Sequence, residues 1–490
     1  MLDYVWKYCL KPQLGYSFSR LHSIGYAHIT LQEMNLYHRY PHIYWQTACL
    51  TINASANEDV EDGKSTNYGK VASAISNMQL NGVKIVLPLI NQAKFGFSPD
   101  RVNNQIIFGL KGLNGVGDDA VREIIAKRPY QSFMDFIERV GKRLDTKCVF
   151  NLIKAGCFDE VEPSLSRESL ARTYAYHLGY SKAGLKESLN MQNFASIAEL
   201  GIVPSQYDFE RRLFYFKKYV FNKHNEVEKN VYLMDAEAKA FFDAELYRSF
   251  KEGEQYIISD SGDYALLKKQ FDKYYKQATD GLVSWVTDFS TVEIYNNAAL
   301  ENYVNNLLSK HCEGNQSAWE MDSLSFYHSK HELADLDVDS YGISSWDEIP
   351  EEPVVESVET KTNKKGEVTE FVKYRLHKIA GTVLDKNANG HSVTLLTPHG
   401  VATIKFYDGA FVHYNKQVSI VDPDSGKKKV VEKSWFDRGT KLLITGIRRG
   451  DTFFPKRYFD SVYQHTVCKI ENVTEDGKYM ELKYDRERSE

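Results

Sequence analysis

The chain is poor in most of the features that classify a protein at once. Its six cysteines (Cys9, Cys49, Cys148, Cys157, Cys312 and Cys468) include no C-x-x-C pair, so neither a zinc ribbon nor a dithiol redox motif is written into it. Buried, reduced thiols are the expectation. Long hydrophobic runs are missing too: the longest, Val83 to Ile90, is broken by Lys84 and Pro88 and falls far short of the roughly 20 residues that a membrane helix needs. Lys7 and Lys11 interrupt any apolar leader core at the N-terminus, and a cytoplasmic protein with no membrane partner is expected. Neither charge nor glycine and proline are abundant enough for a disordered or fibrous chain: 42% of residues are hydrophobic and 26% charged, close to soluble averages. At about 150 residues per domain, 490 residues suggest about three domains.

An overall excess of positive charge is also lacking. The net charge of -5 argues against a generally basic nucleic-acid binder, but it is unevenly spread. Residues 1–160 hold 18 Lys/Arg against 15 Asp/Glu, residues 161–360 hold 19 against 34, and residues 361–490 hold 24 against 17. Two mildly basic ends therefore flank an acidic middle, and any DNA-attracting surface must be local. Glu332 to Glu359 contains ten acidic residues, no Lys or Arg, and Pro350 and Pro353, which reads as a solvated linker.

What is present begins at Gly15 to Pro41. Ile24, Ala27, Leu31 and Met34 recur at three- and four-residue steps, predicting one buried helix face, with Ser17 or Ser19 as cap and Pro41 as stop. Arg20 and His22 stand at the start of that helix, where free N–H groups favour a phosphate, although the two lie about 200° apart on an ideal helix. Val71 to Met78 then reads as a helix and Val83 to Leu87 as a strand.

In Ile106 to Arg128, Gly115-Val116-Gly117 forms a tight hairpin, Asp118 is a helix cap, and Val121, Ile124 and Ile125 give the following helix an apolar stripe. This is a helix-hairpin-helix pattern, whose backbone N–H groups hold phosphates without reading bases. Gly115 and Gly117 let the backbone approach, and Lys111, Arg122 and Lys127 add charge. A second unit ends in Leu152 to Asp159, with Gly156 at a helix C-terminus.

At these residues the chain resembles the C-family bacterial replicative DNA polymerases, the DNA polymerase III alpha subunit. Gly15 to Pro41 is similar to the family's fingers segment, keeping Gly15, Tyr16, Phe18, His22, Tyr26, Gln32, Tyr40 and Pro41. Ser19, Arg20 and Leu21 stand where the family has Asn, Lys and Ser. Val83 to Asn91 resembles its I-x-V-L-P-P-x-I-N run, and Phe108 to Arg128 with Leu152 to Asp159 resembles its tandem helix-hairpin-helix region. Trp319 to Leu333 is similar to the family's E-x-x-L-G-x-Y-x-S-x-H-P-L element, with Ser325 for Gly and Glu332 for Pro. The resemblance covers about half of the chain.

It implies that the chemistry, carried in the family by palm-domain carboxylates and two metal ions, lies N-terminal to this region. No catalytic residue is assigned to this chain, and Mg2+ is expected on a palm-bearing partner. Asp335, Asp337 and Asp339, and Asp422 with Asp424, read as linker and turn residues, so no metal site is expected. The family's clamp-binding peptide has one faint counterpart, Gln192-Asn193-Phe194, leaving a sliding clamp as a possible partner.

From Tyr374 onward five strands are predicted, at Ile379 to Leu384, Ser392 to Leu396, Val401 to Phe406, Lys441 to Ile447 and Tyr458 to Ile470. They fit an OB-fold barrel, as the resemblance also implies, with Val418 to Phe436 as an insertion tipped by Lys427, Lys428 and Lys429. Arg448, Arg449, Phe453, Phe454, Lys456, Arg457, Tyr458 and Phe459 interleave aromatics with cations, as a single-strand groove requires. Strand alternation sends Phe453 and Phe454 to opposite faces.

The expected fold class is multidomain α+β: mainly helical N-terminal and middle regions with helix-hairpin-helix units, then a five-stranded barrel. Expected boundaries are a fingers segment at 1–100, tandem helix-hairpin-helix at 101–160, a helical acidic middle region at 161–335, a linker at 336–372 and the barrel at 373–480. The expected function is the C-terminal subunit of a split replicative DNA polymerase that binds primer-template duplex and single-stranded template beside a palm-bearing chain. A stand-alone DNA-binding accessory protein is the alternative, and an acidic inhibitor that mimics the polymerase a third.

Overall fold

The computed structural model describes residues 2–11, 20–56, 66–223, 226–228, 231–259, 262–362, 368–421, 428–456, 466–474 and 476–484. The chain divides into two compact units, residues 1–170 with 312–490, and residues 171–311.

The first unit opens with α1 (Arg20–Arg39) and α2 (His42–Asn53), separated by Pro41, whose fixed φ suits the residue before a helix. Ile24, Leu31 and Met34, predicted as a buried face, are about half exposed, because every residue from 21 to 40 faces solvent. Burial starts on α2, at Ile43, Thr47 and Leu50. Ser17 and Ser19, proposed as caps, lie outside the described residues. Next come α3 (Tyr68–Leu80), capped by the Asn67 side chain, and a small sheet of β1 (Lys84–Val86), β2 (Ser98–Asp100) and β3 (Gln105–Ile107), in which β1 and β3 run parallel.

Three short helices follow: α4 (Asp118–Ala126), α5 (Phe133–Arg139) and α6 (Thr146–Lys154). Their apolar residues recur at helical spacing and meet at an aromatic centre, where Phe133 and Phe136 pack edge-on against Phe158 at 4.9 and 5.0 Å. Gly156 ends α6 with φ +75°, as its place after the helix predicts. Of the thiols, Cys148, Cys157 and Cys468 are buried while Cys49 and Cys312 are half-buried.

The chain returns to this unit through α7 (Gln316–Leu324), then a short helical turn, α8 (Val338–Tyr341). The acidic stretch predicted as a solvated linker is packed: Leu333, Leu336, Trp346 and Ile349 are all buried. Most of its carboxylates face outward, Glu332 excepted, which pairs with Lys441, while these four apolar side chains cap the domain that follows, an arrangement that average composition hides. A hairpin of β4 (Val355–Thr362) and β5 (Val368–Tyr374) leads into that domain.

Five strands close into a barrel: β6 (His377–Asn387), β7 (Ser392–Thr397), β8 (Gly400–Lys405), β11 (Lys441–Arg449) and β12 (Thr452–Pro455), counting β9 (Val418–Val421) and β10 (Lys428–Glu432) as the intervening hairpin. Strands β6, β7 and β8 form an antiparallel meander, β8 pairs parallel with β12, and β6 closes on β11. With helix α9 (Asp408–Asn415) between β8 and β11, this is the OB-fold topology. The fifth strand is Thr452–Pro455 and not the predicted Tyr458 to Ile470. Gly450, at φ +55°, turns the chain at once after β11, and β13 (Val467–Val473) and β14 (Met480–Tyr484) extend the sheet beyond β11. The supposed insertion ends in Trp435 and Phe436, which are core residues stacked and tilted against Tyr414 and Phe406.

The second unit, helical by prediction and mostly so in fact, also holds a four-stranded antiparallel sheet, Glu226–Glu228, Val231–Leu233, Tyr264–Leu267 and Tyr256–Ile258. Tyr264 to Leu267, predicted as helix, forms one of its strands, and the helix starts at Lys268. Among the described residues no helix is long and apolar enough to cross a membrane.

Two stability outcomes follow. Trp346 lies 6.2 Å from Phe453 at the barrel core, so Trp346→Ala should lower unfolding free energy by about 3 kcal/mol in a denaturant titration. His331 accepts a bond from the Leu333 N–H at Nδ1 and faces the Leu396 carbonyl with Nε2, a pairing that the neutral ring alone satisfies. Burial accordingly pulls its pKa from 6.5 to about 4. Because the unfolded chain binds this proton first, stability should fall as pH drops from 6.5 towards 4 and then level off. His331→Gln should flatten that segment of the melting temperature against pH.

Candidate nucleic-acid interface

The first hairpin joins a helical turn at Leu110–Gly112 to α4. Gly115 adopts φ +69°, a conformation that a side chain would strain, and both Gly115 and Gly117 are exposed. A Cβ on Gly115 would stand 3.1 Å from Asn151 Nδ2, whereas one on Gly117 would meet nothing within 4 Å. The Asn151 amide donates to the Asn114 carbonyl at 2.6 Å, and Asn114 donates to the Ser323 and Asp322 carbonyls, so α6 and α7 fix the loop from behind.

Asp118, predicted as a cap, is instead the first residue of α4, and no side chain caps that helix. Its opening N–H groups, which have no intrahelical partner, are thus left for an outside acceptor. By contrast, Ser132 caps α5 and Asp145 caps α6.

The predicted cations of this hairpin differ in their surroundings. Lys111 is engaged by Asp118 in an ion pair and is mostly buried, which removes it from the outward surface. Arg122 is exposed, with its guanidinium 5.8 Å from the Phe95 ring centre. Lys127 is exposed but lies about 140° around the helix axis from Arg122, so the two serve different faces. Two cations that sequence reasoning missed belong to the second helix-hairpin-helix element. Lys142 stands exposed on its hairpin, and Lys147 is exposed, its Cε lying 3.5 Å from where a Cβ on Gly115 would stand. The Gly141-Lys142-Arg143 run was their signal; Arg143 itself is paired with Glu123 at 2.7 Å.

On the barrel the predicted cluster separates into two sets. Arg448 and Phe453 are corrections: Phe453 is fully buried in the barrel core, and the Arg448 guanidinium donates to the carbonyls of Trp346, Ile349 and Gly450 at 2.8–3.0 Å. Paired across β11 and β12, they share one face of the hairpin, the one that the acidic stretch covers. Arg449 is exposed and Phe454 and Lys456 are half-exposed. Arg449 and Lys456 both approach the Tyr374 ring, at 5.9 and 5.3 Å, which adds an aromatic that the sequence reading did not include. Arg457 and Tyr458 lie outside the described residues.

The face of β7 and β8, where OB folds commonly take oligonucleotides, is a polar groove of about 990 Å³ lined by α3 and by Trp346 to Glu351. Asp347, Glu348, Glu351, Asp385 and Asp451 line it against Lys70 and the already engaged Arg448. That balance repels a polyanion.

At the N-terminal end, Arg20 is the first residue of α1 and its side chain lies outside the described residues; the His22 ring packs edge-on against Tyr26 at 4.7 Å. Phe194 of the faint clamp-binding peptide is fully buried against Phe214, so that segment has no aromatic to present. Among the described residues no group of three or more His, Cys, Asp or Glu side chains is placed to hold a metal ion. Asp337 instead caps α8 by accepting from Ser340, and Asp335 pairs with Lys330. Asp422 and Asp424 lie outside the described residues.

Tandem helix-hairpin-helix elements joined to an OB barrel define a class of DNA-handling proteins. A family model described as "Helix-hairpin-helix motif" matches residues 82–170. The chain is 41% identical over 488 residues, 97% of its own length, to the "Probable DNA polymerase YorL" of Bacillus subtilis and to the "DNA-directed DNA polymerase" of Bacillus phage SPbeta. It spans 36% of the length of each. The "DNA polymerase III subunit alpha" of Rickettsia bellii is 26% identical over 226 residues, 41% of this chain and 19% of that protein. The chain is therefore similar to proteins named DNA polymerases and to DNA polymerase III alpha subunits, and fits a C-terminal segment of the latter kind.

Gly117 offers the cleanest test of the hairpin, since its replacement strains nothing in the fold. Gly117→Val should weaken duplex binding by an order of magnitude for every sequence alike, with an unchanged melting temperature; a sequence-selective loss would contradict a backbone grip. Lys147→Ala should reduce the slope of log affinity against log salt by about 0.9, the share of one phosphate contact. Arg448→Ala should lower stability and leave that slope alone.

Proposed function

We propose that this chain holds primer-template DNA for template-directed synthesis by a palm-bearing partner chain, in the manner of a split replicative polymerase. The first hairpin carries the reading. An uncapped helix start and two exposed glycines stand near Lys147, with Arg122 one turn along the same helix, and successive N–H groups there can donate to phosphate oxygens irrespective of base. The polymerase names of the relatives supply the reaction class.

Single-stranded template runs, in this reading, along Tyr374, Arg449, Phe454 and Lys456, where two rings and two cations offer stacking and charge. The acid-lined groove under α3 steers it away from β7 and β8. Arg20 and His22 contribute to nucleotide phosphate binding only when the partner completes the site around α1. Among the described residues no side chains are placed for a two-metal centre, and the Mg2+ that nucleotidyl transfer uses is assigned in this reading to the partner.

The deciding experiment is reconstituted primer extension. Adding this chain to the palm-bearing chain should raise nucleotide incorporation up to a 1:1 ratio, and the Gly117→Val chain should raise it much less. Tight DNA binding with no effect on incorporation would favour the stand-alone accessory protein instead.

A further inference from the structure

Helix α1 is in the wrong environment. It is 20 residues and about 30 Å long, and each residue from 21 to 40 is exposed. Yet it carries Leu21, Ile24, Tyr26, Ile29, Leu31, Met34, Leu36 and Tyr37, between 39% and 83% exposed. At about 100° per residue these point in nearly every direction: Leu21, Leu36 and Ile29 to one side, Tyr26 and Tyr37 to the next, then Met34, then Leu31 and Ile24. A surface helix confines its apolar residues to one stripe, and a helix apolar all round is an interior helix.

The geometry selects among occupants. A second copy of the chain, pairing about a two-fold axis, would cover one stripe and leave the opposite residues wet. A membrane would have to take up Arg20, Glu33, Arg39 and three histidines along the same helix. An enclosing polypeptide fits both the all-round pattern and the roots of the helix, for α2 anchors it through Ile43 and Leu50 while Tyr44 and Trp45 stay open beside it. The relatives supply such a polypeptide: their match to this chain includes all but 3% of it and ends with nearly two thirds of their own length unaccounted for.

We infer that α1 is an interior helix of the assembled polymerase, enclosed on several sides by the polypeptide that the SPbeta relative carries outside the matched segment. The enclosing surface is apolar with an acidic rim, because residues 20–45 hold two arginines and four histidines against the single acid Glu33. This rests on the polymerase reading above and adds where the partner docks.

Two measurements test it. Hydrogen exchange is followed over residues 21–40 in this full chain and over the aligned helix in the intact SPbeta polymerase. Exchange at least tenfold slower in the intact relative supports enclosure, and equal exchange overturns it whether or not the split arrangement is right. The second measurement takes the palm-bearing chain that supports primer extension. Ile29→Asp with Leu36→Asp, and separately Leu31→Asp, should each weaken association at least tenfold without changing the melting temperature, since all three side chains are more than half exposed. Association unchanged in both variants overturns the docking site and leaves the polymerase reading standing. Absence of any association by the unsubstituted chain removes the polymerase reading, while the exchange data still judge the helix. A dimer of the chain alone that dissociates on Ile29→Asp would overturn the inference in favour of a second copy.

Discussion

A carboxylate with no solvent exposure, Glu320 on α7, sets the terms for the rest of the first unit. A charge in that position is tolerable only if its oxygens are matched. One faces the Arg167 guanidinium at 3.3 Å, and the other accepts from the Ser329 N–H and hydroxyl at 2.8 and 2.7 Å. Arg167 in turn binds Asp159 and the Lys154 carbonyl, at the end of the helix-hairpin-helix region. On its other side α7 ends at Ser325, left-handed at φ +71°, whose hydroxyl is held by Arg438 of the barrel; Tyr327 then bonds Thr382 on β6. A buried ion pair thus lies at the seam between the helix-hairpin-helix region and the barrel. The polar residues of Trp319 to Leu333 are joints rather than contacts.

That seam explains which parts of the sequence were legible. Turn chemistry was readable where one backbone conformation leaves one residue type: Gly115 and Gly156 have positive φ as their positions require. Four barrel strands were readable because alternation and turn residues coincide there. Ser325 shows the opposite case, since glycine is the residue that such a backbone favours, and only the Arg438 contact explains a serine. Arg448 and Phe453 looked like a base-stacking pair because cations and aromatics alternate locally. Whether a side chain points into the barrel depends on the pairing of β11 with β12, and that pairing depends on Gly450. Average composition misled over Glu332 to Glu359, where Trp346 and Ile349 are few but decide the packing. In the second unit, strands of three or four residues leave too short a pattern to separate from helix.

Charge follows the same division between local and average. The acidic middle and the carboxylates around the α3 groove make most of the molecule unattractive to a polyanion. Four cations that reach the surface stand beside backbone or rings: Lys147 near Gly115, Arg122 over Phe95, Arg449 and Lys456 around Tyr374. A net charge of -5 is therefore compatible with a DNA-facing edge. The field it creates narrows the orientations in which a duplex can arrive.

The contrast between α4 and α6 has a consequence for motion. Asp145 fills the start of α6, whereas the start of α4 is bare, so the two hairpins are unequal despite their common plan. On the proposed function, one rigid set of amides would meet a phosphate and its counterpart would rely on side chains. A duplex advancing by one nucleotide would present the bare amides with another phosphate of the same shape, with no rotamer to reset and no base to release. The glycine hairpin would then be a low-friction guide rail, and the lysines nearby its adjustable brake.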